Sequence, residues 1–324
     1  MTETEAQASS PEDSSAVESK VPSRSMKHSG LLKSTVINGW PLFWLLSLTL
    51  SAFTLIAMSG IDMSSPDGVS HMISRSVRWA VPFIYLVLAS AAVPVLFPSA
   101  FTHWWSRNRR YLGLVFAVAM AWQGTFIFIL SNLHSSYYYE DVYYLRDELE
   151  GSSGYLFLAA MVLTSFRFGR RHLTGAQWKV LHRCGVYFLW AYPFSVYWWA
   201  LYYYGHAESI DYFFYWMGFL AFLARIAAWG KRRATRSSSL QPEALHRSAG
   251  ILLIILGLSA SATGGAWQAS VTEILTGPAW SANLELWLPF WPLEPFLPLF
   301  AIGIGTWLFT GAFENAESYD LTRQ

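Results

Sequence analysis

Long apolar runs separated by short polar loops make up most of the chain from residue 36 onward. Eight of these runs come close to the ~20 residues that an α-helix needs to cross ~30 Å of hydrocarbon. They cover residues 36–58, 77–98, 111–133, 153–168, 180–203, 212–229, 249–268 and 296–313. The pattern predicts an all-α polytopic membrane protein with about eight transmembrane helices.

The charges of the loops agree with this count, because membrane insertion keeps Lys and Arg in alternate loops on the cytoplasmic side. Basic clusters precede the first, third, fifth and seventh runs, and the intervening loops are acidic. Both termini are therefore predicted to be cytoplasmic. Arg75 and Arg78 are exceptions on the outer side, where we expect contact with lipid headgroups and keep contact with the acidic outer loops as the alternative.

The polar ends and the apolar body divide the chain into five parts. Residues 1–35 are rich in Ser, Glu and Pro and poor in large apolar side chains, so they are predicted to form a disordered cytoplasmic tail. The first transmembrane helix, a core, two additional C-terminal transmembrane helices with a Pro-rich outer loop, and a second cytoplasmic tail follow. These parts cover residues 36–60, 74–230, 249–313 and 314–324.

Glu294 lies in the Pro-rich stretch 284–298 and is the one carboxylate that could reach membrane depth. Carboxylates inside a membrane are candidate functional groups. Its proline neighbours argue against a regular helix, so we expect Glu294 to lie at the outer interface.

Composition narrows the classes of function. Hydrophobic residues make up 53% of the chain and the formal net charge is +1, which excludes an ordinary soluble domain and gives no support for nucleic-acid binding. The single cysteine, Cys184, excludes a disulfide framework and a Cys-based metal cluster. Because no glycine-rich dinucleotide fingerprint follows a strand, we expect no flavin or nicotinamide domain in this chain.

The stretch from Thr164 to His206 joins two apolar runs through a basic turn and is predicted to form a membrane hairpin. Its second run opens with His182 and ends in Trp and Tyr residues typical of an interfacial aromatic belt. An imidazole beside arginines near the start of a spanning helix is a candidate haem and metal ligand. The alternative is a ring that hydrogen-bonds a neighbouring group and anchors the helix end.

Four stretches of this region resemble the ferric reductase-like transmembrane family, which contains the membrane cores of ferric reductases and NADPH oxidases and the haem-binding membrane subunit of methionine sulfoxide reductase. The element WKVLHRCGVY at 178–187 is the most specific of the resembling residues. The four stretches are SRSVRWAVPFIYLVLASAAVP (74–94), RRYLGLVFAVAMAWQ (109–123), TSFRFGRR (164–171) and WKVLHRCGVYFLWAYPFSVYW (178–198).

The resemblance implies b-type haems between the third and fifth spans, each held by histidines from both helices. His182 matches the first histidine of the fifth span. The second histidine position falls on Ser195 or Val196, and the positions on the third span fall on Gln123 and Met120. Most of the histidine ligands that the family uses are therefore replaced in this chain.

The resemblance leads us to predict an electron-transfer protein that passes electrons across the membrane through haem b, supplied by quinol or by a redox partner protein. His182 is the predicted haem and metal ligand, Arg109 and Arg110 are candidates to pair with haem propionates, and no catalytic residue is assigned. The alternative is a haem-free membrane subunit or scaffold that kept the fold and lost the cofactor. A transporter that uses Glu294 is a third possibility. The expected location is the lipid bilayer of a bacterial inner membrane.

Overall fold

The computed structural model describes residues 29–205, 207–236 and 244–311, and all regular structure in these ranges is helical. The eight longest helices, numbered α1 to α8 here, each overlap one of the eight predicted apolar runs. They are α1 Gly39–Ser59, α2 Pro66–Ala89, α3 Ala100–Leu133, α4 Leu145–Thr164, α5 Gly175–Tyr202, α6 Ser209–Arg236, α7 Ala244–Ala262 and α8 Leu297–Thr310. The prediction of an all-α fold is confirmed.

Shorter helices connect these eight. They are Ser29–Leu32, Thr35–Ile37, Val93–Leu96, Ser135–Tyr137, the π-helix Tyr138–Val142, Arg167–Arg170, Gly264–Thr276, Ser281–Trp287 and Glu294–Phe296. The run predicted at 249–268 is therefore interrupted, because α7 ends at Ala262 and a separate helix begins at Gly264.

Five of the eight helices, α1, α2, α3, α6 and α7, are long and apolar enough to cross a membrane, and on this basis the chain is a membrane protein. Five is fewer than the eight spans that we predicted. Features of the other three helices account for the difference. In the described part of the chain, α8 has only 14 residues, and α4 begins with an acidic turn at Asp147 and Glu148. Helix α5 carries Lys179 and Arg183 and is rich in Trp and Tyr, which are less apolar than aliphatic side chains.

Side chains that cap the helices explain why α2 and α3 begin well before the apolar runs that predicted them. The Ser65 hydroxyl accepts a hydrogen bond from the Gly68 N–H, and Pro66 occupies the first turn of α2. Ser99 and Thr102 form a reciprocal capping box at the start of α3. Thr174 and Gln177 do the same for α5.

Successive helices run in alternating directions. The Trp40 ring at the start of α1 lies against Tyr111, in the first half of α3, and against Phe166, just after α4. Lys231, late in α6, donates to the Val95 carbonyl just after α2. Most loop cations lie at this end of the bundle, which we call the basic end, and the opposite end carries the loop carboxylates and is called the acidic end.

Aromatic rings fill the interior between α5 and α6. The Phe194 ring stacks on Tyr215 with centroids 5.5 Å apart, and the Trp190 ring stacks on Phe222 at 4.4 Å. The Trp190 indole also donates to the Gly218 carbonyl at 3.0 Å. Because lipid tails are as apolar as these rings, close packing rather than removal from water holds such helices together.

Two short helices, Ser29–Leu32 and Thr35–Ile37, precede α1, and they include the last part of residues 1–35, for which disorder stays a prediction. The Asn38 side-chain amide donates to the carbonyls of Leu32 and Ser34, and its oxygen accepts from Arg107 and Asn108 of α3. These hydrogen bonds join the residues before α1 to α3. The apolar content of the sequence alone did not predict this contact. Residues 1–28 and the predicted tail at 314–324 lie outside the described residues.

Glycines bring α7 and α8 into backbone contact. A Cβ atom at Gly250 would lie 2.7 Å from the Gly305 carbonyl oxygen, and one at Gly257 would lie 2.5 Å from the Pro298 carbonyl oxygen. Neither position leaves room for a side chain, so the two helices pack through small residues, as is common inside membranes.

The Pro-rich segment before α8 folds into the bundle. The Phe290 ring packs against Phe188 of α5, and the Phe296 ring packs against Trp190 and Phe194. Glu294 is 2% exposed, so protein encloses its side chain, and the interfacial depth expected for it stays a prediction.

Candidate functional site

A cavity of about 590 Å³ lies at the basic end, between α2, α3, α4, α5 and α6. Cationic side chains from three helices and the α4–α5 turn converge on it, and none of the described residues that line it is Asp or Glu. The cations are Arg109, Arg110, Arg170, Lys179, Arg183 and Arg225. We call this space the basic cavity.

The inner wall of the basic cavity is apolar. Ile84 and Leu88 of α2, Phe116 of α3, Leu158 of α4 and Leu189 of α5 line it. The cavity thus has a cationic mouth and an apolar floor, and its volume is in the range typical of small-molecule sites.

His182 lines this cavity and is held by the end of α4. Its Nε2 lies 3.0 Å from the Thr164 hydroxyl oxygen. That hydroxyl is 2.7 Å from the Ala160 carbonyl and has only one proton to donate. We therefore assign Nε2–H as the donor to Thr164, which leaves Nδ1 as the ring nitrogen with a free lone pair.

Trp178 completes the contact between the α4–α5 turn and α5. Its indole N–H donates to the Thr164 carbonyl at 3.2 Å, and its ring lies 4.4 Å from the His182 ring. The Arg170 guanidinium lies over the Trp178 ring, 5.2 Å from the ring centre. The basic turn is therefore fixed against the first two turns of α5.

Arg225 enters the cavity from α6 and was not considered in the sequence analysis. Its guanidinium donates to the Tyr187 hydroxyl through Nη2 at 3.0 Å and Nε at 3.3 Å. A signal was present in the sequence, since an arginine inside an apolar run marks a functional candidate.

A second cavity of about 490 Å³ lies toward the acidic end, between α2, α3, α4 and α5. Five tyrosines and three carboxylates line it, and none of its described lining residues is Lys or Arg. They are Tyr138, Tyr143, Tyr144, Tyr155, Tyr192, Asp147, Glu148 and Glu150. We call this space the tyrosine cavity.

Gln123 and Met120 line the tyrosine cavity and are separated from His182. The Tyr155 hydroxyl reaches the Gln123 side-chain oxygen at 3.2 Å and the Met120 carbonyl at 3.1 Å. Three apolar residues, Phe116, Leu158 and Leu189, line both cavities and form the partition between them.

The remaining candidate haem positions lie away from His182 as well. Ser195 is 0% exposed and donates to the Ala191 carbonyl of its own helix. Val196 is on the exposed side of α5. The structure thus places none of the other matching positions beside His182.

The basic cavity itself does not fit a haem held by two side chains of this chain. Among its described lining residues it offers one imidazole, at His182, where Nε2 is engaged by Thr164 and only Nδ1 keeps a free lone pair. Met161 also lines the cavity, but its sulfur packs against Gly185, one turn along α5 from His182, and so approaches from the same wall. A six-coordinate haem needs a second ligand from across the cavity.

Glu294 takes part in a separate polar cluster. Its Oε1 accepts from the Trp199 indole at 3.3 Å and lies 3.4 Å from the Thr272 hydroxyl. The Arg146 guanidinium lies over the same Trp199 ring and pairs with Glu150 at 3.2 Å. These contacts hold the Pro-rich segment against α4 and α5.

Comparison with protein-family models, with curated proteins and with solved structures finds no match to this chain. The resemblance to the ferric reductase-like family therefore stays a prediction, and so do the haem and the electron transfer that it implies. Function has to be inferred from the two cavities and the residues that line them.

Proposed function

We propose that all eight helices cross the bilayer of a bacterial cell membrane with the basic end in the cytoplasm. The packing supports this proposal, because residues of α5 lie in the same apolar core as residues of α2 and α6. The excess of cations at one end supports the orientation.

Thiol labelling tests this topology. In a Cys184→Ser background, single cysteines at Tyr139 and His172 flank α4 on its two sides. We expect a membrane-impermeant reagent to label intact cells at Tyr139→Cys and not at His172→Cys. Equal labelling of both would show that α4 does not cross.

We further propose that the chain is a haem-free membrane subunit whose function is to bind a small molecule in the basic cavity. One observation carries this proposal: among the described residues that line the cavity, six cations with no carboxylate surround an apolar floor, and no second imidazole stands opposite His182. A charge cluster of one sign destabilises a fold unless a ligand or solvent compensates it, and clefts of this kind concentrate oppositely charged ligands.

An absorption spectrum tests the haem-free assignment. We expect the protein, purified after expression with added haem precursor, to lack a Soret band before and after dithionite reduction and to give no pyridine haemochrome. A haem content near one per chain would overturn the assignment.

Electron transfer through b-type haem is the second candidate, and one observation favours it. His182 faces a cavity whose mouth also holds Arg109 and Arg110, the residue type that pairs with propionates. If haem is found, the spectrum should be lost in His182→Ala and kept in His172→Ala, since His172 is an exposed histidine in the adjacent turn and does not line the cavity.

A further inference from the structure

We propose that the basic cavity holds the phosphate group of an anionic amphiphile, with the apolar chain of that molecule lying on the cavity floor. This inference rests on the proposed binding function of the cavity and names the class of its ligand.

The donors of the cavity suit a phosphate. Arg225 uses Nε and Nη2 for the Tyr187 hydroxyl, which leaves the donors of Nη1 and one of Nη2 for a ligand. Arg170 uses Nη1 for the Leu173 carbonyl and keeps its other donors. Both side chains are half-buried and fixed by these contacts, so two planar forks are already in place for the paired hydrogen bonds that arginine makes to phosphate.

The surroundings select an anion over a cation or a neutral molecule. Arg109 and Arg110 come from α3, and Lys179 and Arg183 come from α5, so four further charges face the same space from two sides. Among the described residues, no carboxylate lies within ion-pair distance of any of the six cations. The ligand has to supply the negative charge.

The apolar floor selects a molecule with a hydrocarbon part. Ile84, Leu88 and Phe116 continue from the cationic mouth toward the partition between the two cavities. A free phosphate or a sugar phosphate would leave this surface without a partner. An amphiphile fills both parts, and the basic end is where the headgroups of the inner leaflet would lie.

A specific phosphate site depends on the arginines that line the cavity, whereas a non-specific positive surface depends only on the total charge at the basic end. Arg171 and Arg232 lie at the same basic end and do not line the cavity. The double variant Arg170→Gln/Arg225→Gln and the double variant Arg171→Gln/Arg232→Gln therefore remove the same charge from the same end and differ in whether the cavity is altered.

The experiment is native mass spectrometry of the full chain titrated with phosphatidylglycerol, with phosphatidylcholine as the zwitterionic comparison. We expect the wild-type chain to prefer phosphatidylglycerol, the cavity variant to bind it at least about tenfold more weakly, and the matched variant to change by less than about twofold. Equal binding by the two double variants would overturn the proposal.

Two further measurements keep the test decisive. Inorganic phosphate is titrated by calorimetry, and binding as tight as that of phosphatidylglycerol would reject the amphiphile in favour of a soluble phosphate compound. If the cavity variant fails to fold, wild-type protein is acetylated with and without phosphatidylglycerol, and Lys179 should be protected while Lys231 is not. If the protein is colourless but fails these binding tests, the phosphate ligand is rejected and the haem-free assignment stands. A haem spectrum overturns the haem-free assignment whatever the lipid result.

Discussion

The basic cavity and the tyrosine cavity share four helices, α2 to α5, and yet their chemistry is opposite. One is lined by six cations without a carboxylate, the other by three carboxylates and five tyrosines without a cation, within the described residues. The difference agrees with the insertion rule, which favours Lys and Arg in the loops at one end of a helix bundle. The distribution of charge between the two ends of the bundle therefore also affects which charge of ligand each cavity favours.

The largest expected effect comes from placing a charge in the partition between the cavities. Leu189 lines both, and Leu189→Asp would put an unpaired carboxylate between α3 and α5, so we expect a loss of about 3 kcal/mol or more in the free energy of unfolding. Thermal unfolding in detergent measures it.

The control at this position is Leu189→Met, which keeps the volume and should cost less than about 1.5 kcal/mol. If Leu189→Asp unfolds at the same temperature as Leu189→Met, water already connects the two cavities and the partition is not closed.

A smaller effect is expected from Tyr155→Phe, which affects the tyrosine cavity alone. The change removes the hydroxyl that reaches Gln123 and the Met120 carbonyl, at a cost of about 1 kcal/mol in thermal unfolding. Phosphatidylglycerol binding at the basic cavity should be unchanged. A parallel loss of lipid binding would mean that the two cavities act as one site.

Ionisation at the acidic end provides the third test. Burial raises the pKa of Tyr138 to about 12, and the Glu148 carboxylate that accepts its hydrogen bond adds to the shift. The phenol is thus neutral in the folded protein at pH values where the unfolded chain, with a pKa near 10, is ionised. The stability from this group is complete below pH 10 and should fall as the pH rises toward 12.

Glu148→Gln removes the charge and should lower the pKa of Tyr138, while the part caused by burial remains. Carbon-13 labelled tyrosine, assigned with Tyr138→Phe, allows the titration to be followed by NMR. An unchanged pKa in Glu148→Gln would show that burial alone is responsible.

The smallest effect is expected from the ion pair between Arg78 and Glu208, 3.0 Å apart at the acidic end. Their side chains are 44% and 62% exposed, so Arg78→Gln should change the free energy of unfolding by less than about 1 kcal/mol. A larger change in thermal unfolding would indicate that lipid encloses the pair. This contact with an outer carboxylate is the alternative that the sequence analysis kept beside headgroup contact.

Local signals in the sequence were sufficient to predict approximately where the eight long helices lie. The starts of α2 and α3 were predicted eleven residues late because the apolar runs alone were used. The capping residues Ser65 and Ser99 were visible and would have corrected both starts.

Contacts between distant segments limited what could be predicted about the site. Thr164 and His182 are joined because a short turn reverses the chain between α4 and α5, which the hairpin pattern indicated in outline. The separation of Gln123 from His182 into two cavities depends on Phe116, Leu158 and Leu189 filling the space between helices. Periodicity along one helix carries no information about such packing between helices.

The glycine contact between α7 and α8 gives the shorter of the two helices a surface on which to pack. With 14 residues, α8 extends roughly 21 Å and is shorter than the hydrocarbon layer. The groove formed by Gly250 and Gly257 leaves the ribosome before α8 does, so the earlier helix can act as an assembly template for the later one. A bulky residue at Gly257 would then be a defect of biogenesis, seen as a misplaced C-terminal reporter, before it was a defect of the mature protein.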